Sequence, residues 1–227
     1  MFQHLLNLFF PLSCAGCQSF LLTNEVVICT QCRHEIPITN HHTNEKNEVV
    51  RKFYGRIPLE FGAAFLYFHK KGIVQEMMHK LKYKGQEEIG ETIGNWYAEE
   101  LKNLGQIKTI DYIIPVPLHK KRLRERGYNQ VEGFGKALSE NLNIPYEDAV
   151  LYRKLYTKTQ TKKDLLGRID VIDKVFDVAF SENHHGKHFL LIDDVITTGS
   201  TLEACSRALL KIPEAKISIV CMAMAHQ

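Results

Sequence analysis

The chain of 227 residues lacks any run of about 18 apolar residues, the length that a transmembrane helix needs. Residues 1–12 are apolar, but no Lys or Arg precedes them, and Pro11-Leu12-Ser13 is a poor cleavage site for a secretory signal or a lipoprotein. A net charge of only +3 singles out no class of partner. The sequence also contains no internal repeat and no low-complexity tract. These absences predict a cytoplasmic protein without a membrane span.

The length and composition are those of a globular protein. Hydrophobic residues make up 44% of the chain and charged residues 24%, and 227 residues suffice for one full domain and a small module. A polar stretch between Pro37 and Pro58 has the composition of a linker. We therefore expect a small module over residues 1–40, a linker over 41–58 and a main domain over 59–227.

Four of the six cysteines form two C-x2-C pairs near the start of the chain, namely Cys14, Cys17, Cys29 and Cys32. Two such pairs allow four thiolates to converge on one structural Zn²⁺, and metal binding stabilises a segment too short for its own core. Apolar residues at 20–22 and 26–28 predict two short strands around a turn, as in a zinc ribbon. The alternatives are two disulfides, an iron–sulfur cluster or four free thiols, and a reducing cytoplasm argues against the disulfides.

Beyond residue 105, apolar runs of strand length alternate with segments of helical periodicity. The predicted strands are residues 61–68, 110–115, 149–151, 176–180, 189–192 and 217–222, and the predicted helices include 127–142 and the segment that starts at Thr201. This alternation is typical of an α/β fold with a parallel, doubly wound sheet.

The stretch 189–201 carries the clearest functional signal. Its apolar start predicts a buried strand, which ends in Asp193 and Asp194. A hydroxyl-rich turn follows, formed by Thr197, Thr198, Gly199, Ser200 and Thr201. Backbone N–H groups at a helix N-terminus bind phosphate, and carboxylates at a strand end accept hydrogen bonds from sugar hydroxyls. The pattern indicates a ligand with a phosphate and a ribose. An ordinary strand-to-helix turn is the alternative, but a buried acidic pair is costly without a ligand.

Two further segments are rich in cations. Residues 119–128 contain five Lys or Arg and a single acid, and they follow a predicted strand. Ligands bind beyond the carboxyl ends of parallel strands, so Lys121, Arg122 and Arg126 are candidates for binding pyrophosphate. A solvated basic loop is the alternative. Residues 153–176 are long, polar and weakly patterned, which predicts either a lid or a surface excursion.

Together these segments resemble the ComF/ComFC family, which consists of phosphoribosyltransferase-domain proteins linked to DNA uptake in natural competence. The motifs that carry the resemblance are the four-cysteine segment, residues 81–85 (LKYKG), residues 115–118 (PVPL) with Arg122 and residues 126–130 (RGYNQ), and residues 193–201 (DDVITTGST). Gln160 and Arg168 match the family's flexible loop. Asp170 replaces the usual Asn, and the chain ends in Ala225-His226-Gln227 rather than Ala-Arg.

The resemblance implies a type I phosphoribosyltransferase-like parallel sheet with flanking helices, preceded by a zinc ribbon. It also implies phosphoribosyl pyrophosphate (PRPP) with Mg²⁺ as the ligand, and assigns the site residues. Asp193 and Asp194 would be the catalytic acids that hold the ribose hydroxyls, and residues 197–201 would bind the 5′-phosphate. Substitution at the anomeric carbon would release pyrophosphate toward Lys121, Arg122 and Arg126.

Two functions are compatible with these expectations. The first is a PRPP-binding protein that assists single-stranded DNA, together with other DNA-uptake proteins, in natural transformation. The second is an Mg²⁺-dependent phosphoribosyltransferase that acts on a nucleobase or another small acceptor. A ligand-sensing regulator is a third and weaker hypothesis. The first is favoured by the family resemblance and by tyrosines among the basic residues, which could stack on bases, and no base-binding hood is recognisable in the sequence.

Overall fold

The computed structural model of the chain describes residues 12–154 and 175–226. Its central feature is a parallel sheet with the strand order β1-β6-β5-β2, and a separate antiparallel pair joins β3 to β4. The strands are β1 (Phe61–Phe68), β2 (Tyr112–Pro115), β3 (Leu151–Arg153), β4 (Phe176–Val178), β5 (His188–Ile196) and β6 (Lys216–Ala225). The parallel sheet with flanking helices confirms the predicted fold class.

Helices cover both faces of this sheet. In the described ranges the α-helices are α1 (Thr30–Glu35), α2 (Glu48–Phe53), α3 (Ile73–Tyr83), α4 (Glu88–Leu101), α5 (Lys120–Arg126), α6 (Glu132–Leu142) and α7 (Ser200–Leu209), with 3-10 turns at His41–Thr43, Ile107–Thr109 and Glu182–His184. Helices α3, α4 and α6 share one buried cluster with the sheet, and α2 and α7 share the other. None of the helices in the two described ranges has the length and apolar character to cross a bilayer.

Strand β5 shows why the sheet was predictable. Leu190 and Ile192 belong to the cluster on one face, whereas Phe189 and Leu191 belong to the cluster on the other, and all four side chains are fully buried. A strand with both faces covered reads as a continuous apolar run, which is the pattern at 189–192.

The two strands predicted between the cysteine pairs are wrong. Residues 20–28 form turns and bends, with an isolated bridge between Ser13 and Phe20. Each apolar triplet pairs with the segment around Cys14 instead of with the other triplet. The Leu21 N–H donates to the Leu12 carbonyl at 2.9 Å, and the Ala15 N–H donates to the Val27 carbonyl at 2.8 Å. The backbone donors are therefore used locally, and no hairpin forms.

The polar stretch over residues 41–58 has structure of its own. It contains the 3-10 turn His41–Thr43 and helix α2, whose Val49 and Phe53 are fully buried in the same cluster as Ala64 of β1. Its polar composition reflects a short helix with one buried face. The division of the chain at residues 40 and 58 stays a prediction.

The basic segment after β2 also differs from the expected loop. Residues Lys120–Arg126 form helix α5, whose first turn is capped by the His119 side chain. Gly127 ends the helix in the left-handed region, with φ of +84°, which a residue without a Cβ adopts at little cost. The helix predicted over 127–142 therefore begins only at Glu132.

Candidate functional site

Strand β5 continues through the acidic pair to Ile196 instead of ending in it. Asp193 pairs in register with Cys221, and the ladder with β6 extends to Ile196, because β6 itself runs to Ala225. The hydroxyl-rich turn then leads directly into α7, which begins at Ser200. The two carboxyl groups therefore project from a paired strand at the carboxyl edge of the sheet, and the phosphate loop, defined here as residues 197–201, follows three residues later.

The phosphate loop and one aspartate enclose a cavity of about 40 Å³, lined by Asp193 and residues 195–202. The Thr198 and Ser200 hydroxyls lie 3.0 Å apart across the loop. Gly199 has φ of +79°, a conformation that favours glycine. The structure thus brings Asp193 together with the five predicted loop residues, at the N-terminus of a ten-residue helix whose dipole attracts anions.

The two aspartates have different environments. The Asp194 carboxylate accepts hydrogen bonds from the Lys82 ammonium and the Gln130 amide, both at 2.9 Å. Asp193 accepts a hydrogen bond from the Asp194 N–H at 2.8 Å. Burial, together with the neighbouring Asp194, raises the pKa of Asp193 to about 8. Asp194 is therefore fixed by protein partners, whereas Asp193 is a poorly compensated acid beside the phosphate loop.

A second and larger cavity of about 340 Å³ lies beside helix α5. It is lined by Lys82, Tyr83, Gly85, Arg122, Glu125, Arg126 and Tyr128. Two of the three predicted pyrophosphate-binding residues, Arg122 and Arg126, thus share one cavity. The third, Lys121, does not line it: its side chain is 79% exposed and lies 3.8 Å from Glu125.

A chain of contacts connects this basic cavity to the acidic pair. The Arg126 guanidinium stacks over the Tyr83 ring at 5.2 Å and donates to the Gln130 amide oxygen at 2.6 Å. Gln130 donates to Asp194, which also pairs with Lys82 on the wall of the basic cavity. The Asp194 N–H in turn donates to Asp193, which lines the phosphate-loop cavity, so the acidic pair lies between the two cavities.

Three residues of this site were not predicted from the sequence. Lys82 and Gln130 lie in the motifs 81–85 and 126–130, on which the family resemblance rests. These motifs drew attention to the two segments, but they did not indicate a chemical role for either residue. Arg56 donates to the Thr198 carbonyl of the phosphate loop at 3.1 Å. It lies in the polar segment 41–58, where no motif indicated a functional residue.

Gln160 and Arg168, the two residues of the predicted lid, lie outside the described residues. On either side of that segment, the Lys154 N–H donates to the Val175 carbonyl at 2.9 Å.

The side chains of the four paired cysteines form one cluster. Their Sγ atoms all lie within 4.8 Å of one another, and those of Cys17 and Cys29 are 3.7 Å apart. Four thiolates placed about 2.3 Å from a tetrahedral Zn²⁺ would be about 3.8 Å apart. Backbone N–H groups of Gly16 and Cys29 donate to the Cys14 sulfur at 3.3 Å each, which favours a thiolate there. The group of Cys14, Cys17, Cys29 and Cys32 thus fits a structural zinc ion.

Comparisons with known proteins show which proteins the chain is similar to. A family model described as a phosphoribosyl transferase domain matches residues 132–227. Competence protein F of Haemophilus influenzae is 28% identical over 226 residues, which cover 96% of this chain and 99% of that protein. The DNA utilization protein YhgH of Escherichia coli O157:H7 is 27% identical over 64% of this chain and 65% of its own length. Competence protein ComFC of Bacillus subtilis is 29% identical over 61% of this chain and 54% of its own length.

The matched regions differ in what they include. The family model contains Asp193, Asp194 and the phosphate loop, but it begins after Lys82, Arg126 and the cysteine cluster. The chain spans about two thirds of YhgH and about half of ComFC. The match to competence protein F covers nearly the whole of both chains and therefore includes the cysteine segment and the basic helix as well.

Proposed function

Because the chain belongs to the ComF family of phosphoribosyltransferase-domain proteins, we propose that it binds PRPP at the carboxyl edge of β5. The observation that carries this proposal is the acidic pair, since Asp194 contacts Lys82 of the cationic cavity and its N–H donates to Asp193, which lines the cavity of the phosphate loop. PRPP carries a phosphate at one end of its ribose and a pyrophosphate at the other. A site with two separate anion-binding regions and acids between them suits that ligand.

The phosphate loop is proposed to bind the 5′-phosphate. Its hydroxyls and the N-terminal N–H groups of α7 are uncharged donors, which suits a phosphate that stays bound. Asp193 borders the same cavity, so its carboxylate is placed to accept hydrogen bonds from the ribose hydroxyls. Asp194 is proposed to hold Lys82 and Gln130 in place, in addition to the predicted contact with ribose.

The pyrophosphate end is assigned to the basic cavity. Arg122, Arg126 and Lys82 line it, and guanidinium groups bind phosphate oxygens in a bidentate manner. Lys121 is more exposed and is proposed to act on the cavity only through its charge. Mg²⁺ fits the site because carboxylate oxygens are ligands that it prefers. Among the described residues, the Asp193 carboxylate accepts a hydrogen bond only from the Asp194 N–H, so it has lone pairs available for the ion. When bound, this ion would neutralise charge on the pyrophosphate.

Titration calorimetry with PRPP and Mg²⁺ tests this assignment. The wild-type chain should bind, and Asp193→Asn combined with Asp194→Asn should weaken binding by about 100-fold or more, since charged hydrogen bonds contribute about 1.5–3 kcal/mol each. The zinc content of the double variant should stay unchanged. A matched control is Asp111→Asn, because Asp111 pairs with Lys187 next to the first residue of β5, at the opposite edge of the sheet. Absence of heat with the wild-type chain would remove the PRPP proposal.

We further propose that the chain handles single-stranded DNA in the cytoplasm during natural transformation. Two of its relatives are named competence proteins and a third is named a DNA utilization protein. Helix α5 has no buried residue and presents a row of cations, and Tyr83 beside it is 64% exposed. Exposed aromatic rings next to cations are typical of single-strand binding surfaces. A cytoplasmic location is in keeping with free thiols available for zinc.

Fluorescence anisotropy with a labelled single-stranded oligonucleotide tests the DNA proposal. Binding should weaken with added salt, and the slope of log affinity against log salt should change by about 0.7 for each cation removed from the contact. Lys120→Gln with Arg124→Gln, two exposed cations of α5 that do not line the basic cavity, should weaken DNA binding and leave PRPP binding nearly unchanged. The matched control is Lys108→Gln with Lys216→Gln. A salt-independent signal, or equal losses in the two pairs of variants, would contradict the proposal.

A further inference from the structure

Residues 47–57, called here the brace, are fastened to the edge of the sheet. The Asn47 side-chain amide donates to three carbonyls, those of His41, Asn44 and Gly62, at 2.7 to 3.0 Å. Its oxygen accepts from the Val49 and Val50 N–H groups in the first turn of α2. Only 5% of the Asn47 surface is exposed. Because hydrogen bonds are stronger in a buried environment, these bonds hold the start of the brace rigidly on β1.

The brace also touches the phosphate loop. The ring of Phe53, which is fully buried, packs against Gly199 so closely that a Cβ at that position would lie 3.0 Å from two ring atoms. No side chain fits there without displacing the ring. The contact therefore needs glycine for space as well as for its positive φ, and it fixes the distance between the brace and the loop.

Arg56 adds a polar connection beside this apolar contact. Its guanidinium donates to the Thr198 carbonyl at 3.1 Å and to the Lys52 carbonyl at 3.2 Å, and its Nε donates to Glu203 of α7 at 2.8 Å. Arg207 holds the same carboxylate from the other side and donates to the Arg56 carbonyl at 3.2 Å. Arg56 is thus bound to both ends of the turn from the phosphate loop into α7.

The bond to the Thr198 carbonyl has a consequence for the next N–H group. In a trans peptide the carbonyl and the following N–H point in opposite directions, and no peptide bond of the described residues is cis. A Thr198 carbonyl held by Arg56 therefore turns the Gly199 N–H away from the brace. Among the described residues no hydrogen-bond acceptor is recorded for that N–H.

We infer that Arg56 is a positioning residue, which sets the Gly199 N–H as a donor for a phosphate monoester by holding the Thr198 carbonyl. This inference rests on the proposed function, since it assumes that the phosphate loop binds the 5′-phosphate. Arg56 itself acts from outside the cavity, and its charge is balanced by Glu203. Its contribution is the orientation of one peptide group.

The test uses two probes of the full-length chain in calorimetry, ribose 5-phosphate and Mg²⁺-pyrophosphate. Arg56→Met should weaken ribose 5-phosphate binding about tenfold, equivalent to one well-oriented hydrogen bond, and change pyrophosphate binding less than twofold. Arg56→Lys retains the charge and a single donor nitrogen, so it should recover part of the loss. In ¹H–¹⁵N spectra the Gly199 amide shift caused by ribose 5-phosphate should shrink in Arg56→Met. Thermal melting reports any general loss of stability.

Arg51→Met is the matched control, because Arg51 also lies in the brace, on helix α2, and lines a different cavity beside Tyr67. If Arg56→Met and Arg56→Lys bind ribose 5-phosphate as tightly as the wild type does, the inference about Arg56 is overturned, but the 5′-phosphate assignment is not. Equal losses for both probes would also overturn it, because they indicate damage beyond the loop. If the wild-type chain binds pyrophosphate and ignores ribose 5-phosphate, the 5′-phosphate assignment fails, and the role of Arg56 fails with it.

Discussion

The cysteine cluster and the carboxyl edge of the sheet are assembled from very different stretches of the chain. All four thiols lie between Cys14 and Cys32, and their Sγ atoms meet through turns and one short helix. The carboxyl edge combines side chains from Arg56 to Ser200, brought together by the sheet and its helices. No cysteine of the first site lines either cavity of the proposed PRPP site, whereas each residue of the second site depends on the packing of the others.

The largest effect is expected from removing the zinc site. Cys29→Ser, or extraction of the metal with a chelator, should release zinc and unfold the N-terminal segment, because structural zinc contributes on the order of 10 kcal/mol to small sites. Metal analysis and circular dichroism measure the two effects. Affinity for PRPP should change less than about threefold if the two sites are independent.

Cys205→Ser is the control for this experiment. Cys205 is fully buried in helix α7, so the substitution perturbs the core without touching a thiol of the cluster, and zinc should be retained. Loss of PRPP binding in Cys29→Ser with an intact sheet would show that the two sites are coupled, and the contrast between them would be wrong.

A smaller effect concerns the pH dependence of stability. The pKa of Asp193 is raised from 3.8 to about 8 in the folded chain, first by burial and then by Asp194. The folded state therefore binds this proton more tightly than the unfolded state, and the stabilisation is present below pH 4 and lost as the pH rises through 8. Relative to Asp193→Asn, the wild type should lose on the order of 3–5 kcal/mol of unfolding free energy over that range.

Urea titrations in metal-free buffer at several pH values measure this difference. Asp177→Asn is a control of opposite sign, since hydrogen bonds from Lys154 and Lys211 lower the pKa of Asp177 to about 2. Its contribution is present above pH 4 and lost as the pH falls through 2. Parallel pH profiles for the wild type and Asp193→Asn would show that Asp193 ionises normally, and that the acidic pair is not poised for a ligand.

Local patterns explain what the sequence could predict of the fold. The run at 189–192 is apolar because β5 is covered on both faces, and this alone identifies a buried strand. Its continuation through Asp193 and Asp194 depends on the length of β6, a partner that no local pattern specifies. The predicted hairpin between the cysteine pairs failed for the same reason, because the apolar triplets found other backbone partners.

The residues of the site also divide into those that a local pattern predicts and those that only the tertiary structure brings together. Asp193 lies only four residues before the phosphate loop, so their proximity follows from the sequence spacing. Lys82, Gln130 and Arg56 reach the site through the packing of α3, the start of α6 and the brace, and only a three-dimensional structure reveals them. Lys121 shows the converse, since a basic run contains cations on the outer face of its helix as well as those that reach the cavity.

The smallest effect is expected at Lys82, and it tests most directly whether the carboxyl edge of the sheet is a single site. Its ammonium pairs with Asp194 and lines the basic cavity, so Lys82→Met should weaken binding of both PRPP and Mg²⁺-pyrophosphate about tenfold, the equivalent of one charged hydrogen bond. Lys84→Met removes the same charge two residues away on an exposed side chain, and should change the affinity less than twofold. Calorimetry with both probes separates the cases. If the two variants behave alike, Lys82 acts only through net charge and does not join the two cavities. If Lys82→Met alone loses affinity, the carboxyl edge is a single site built from distant parts of the chain.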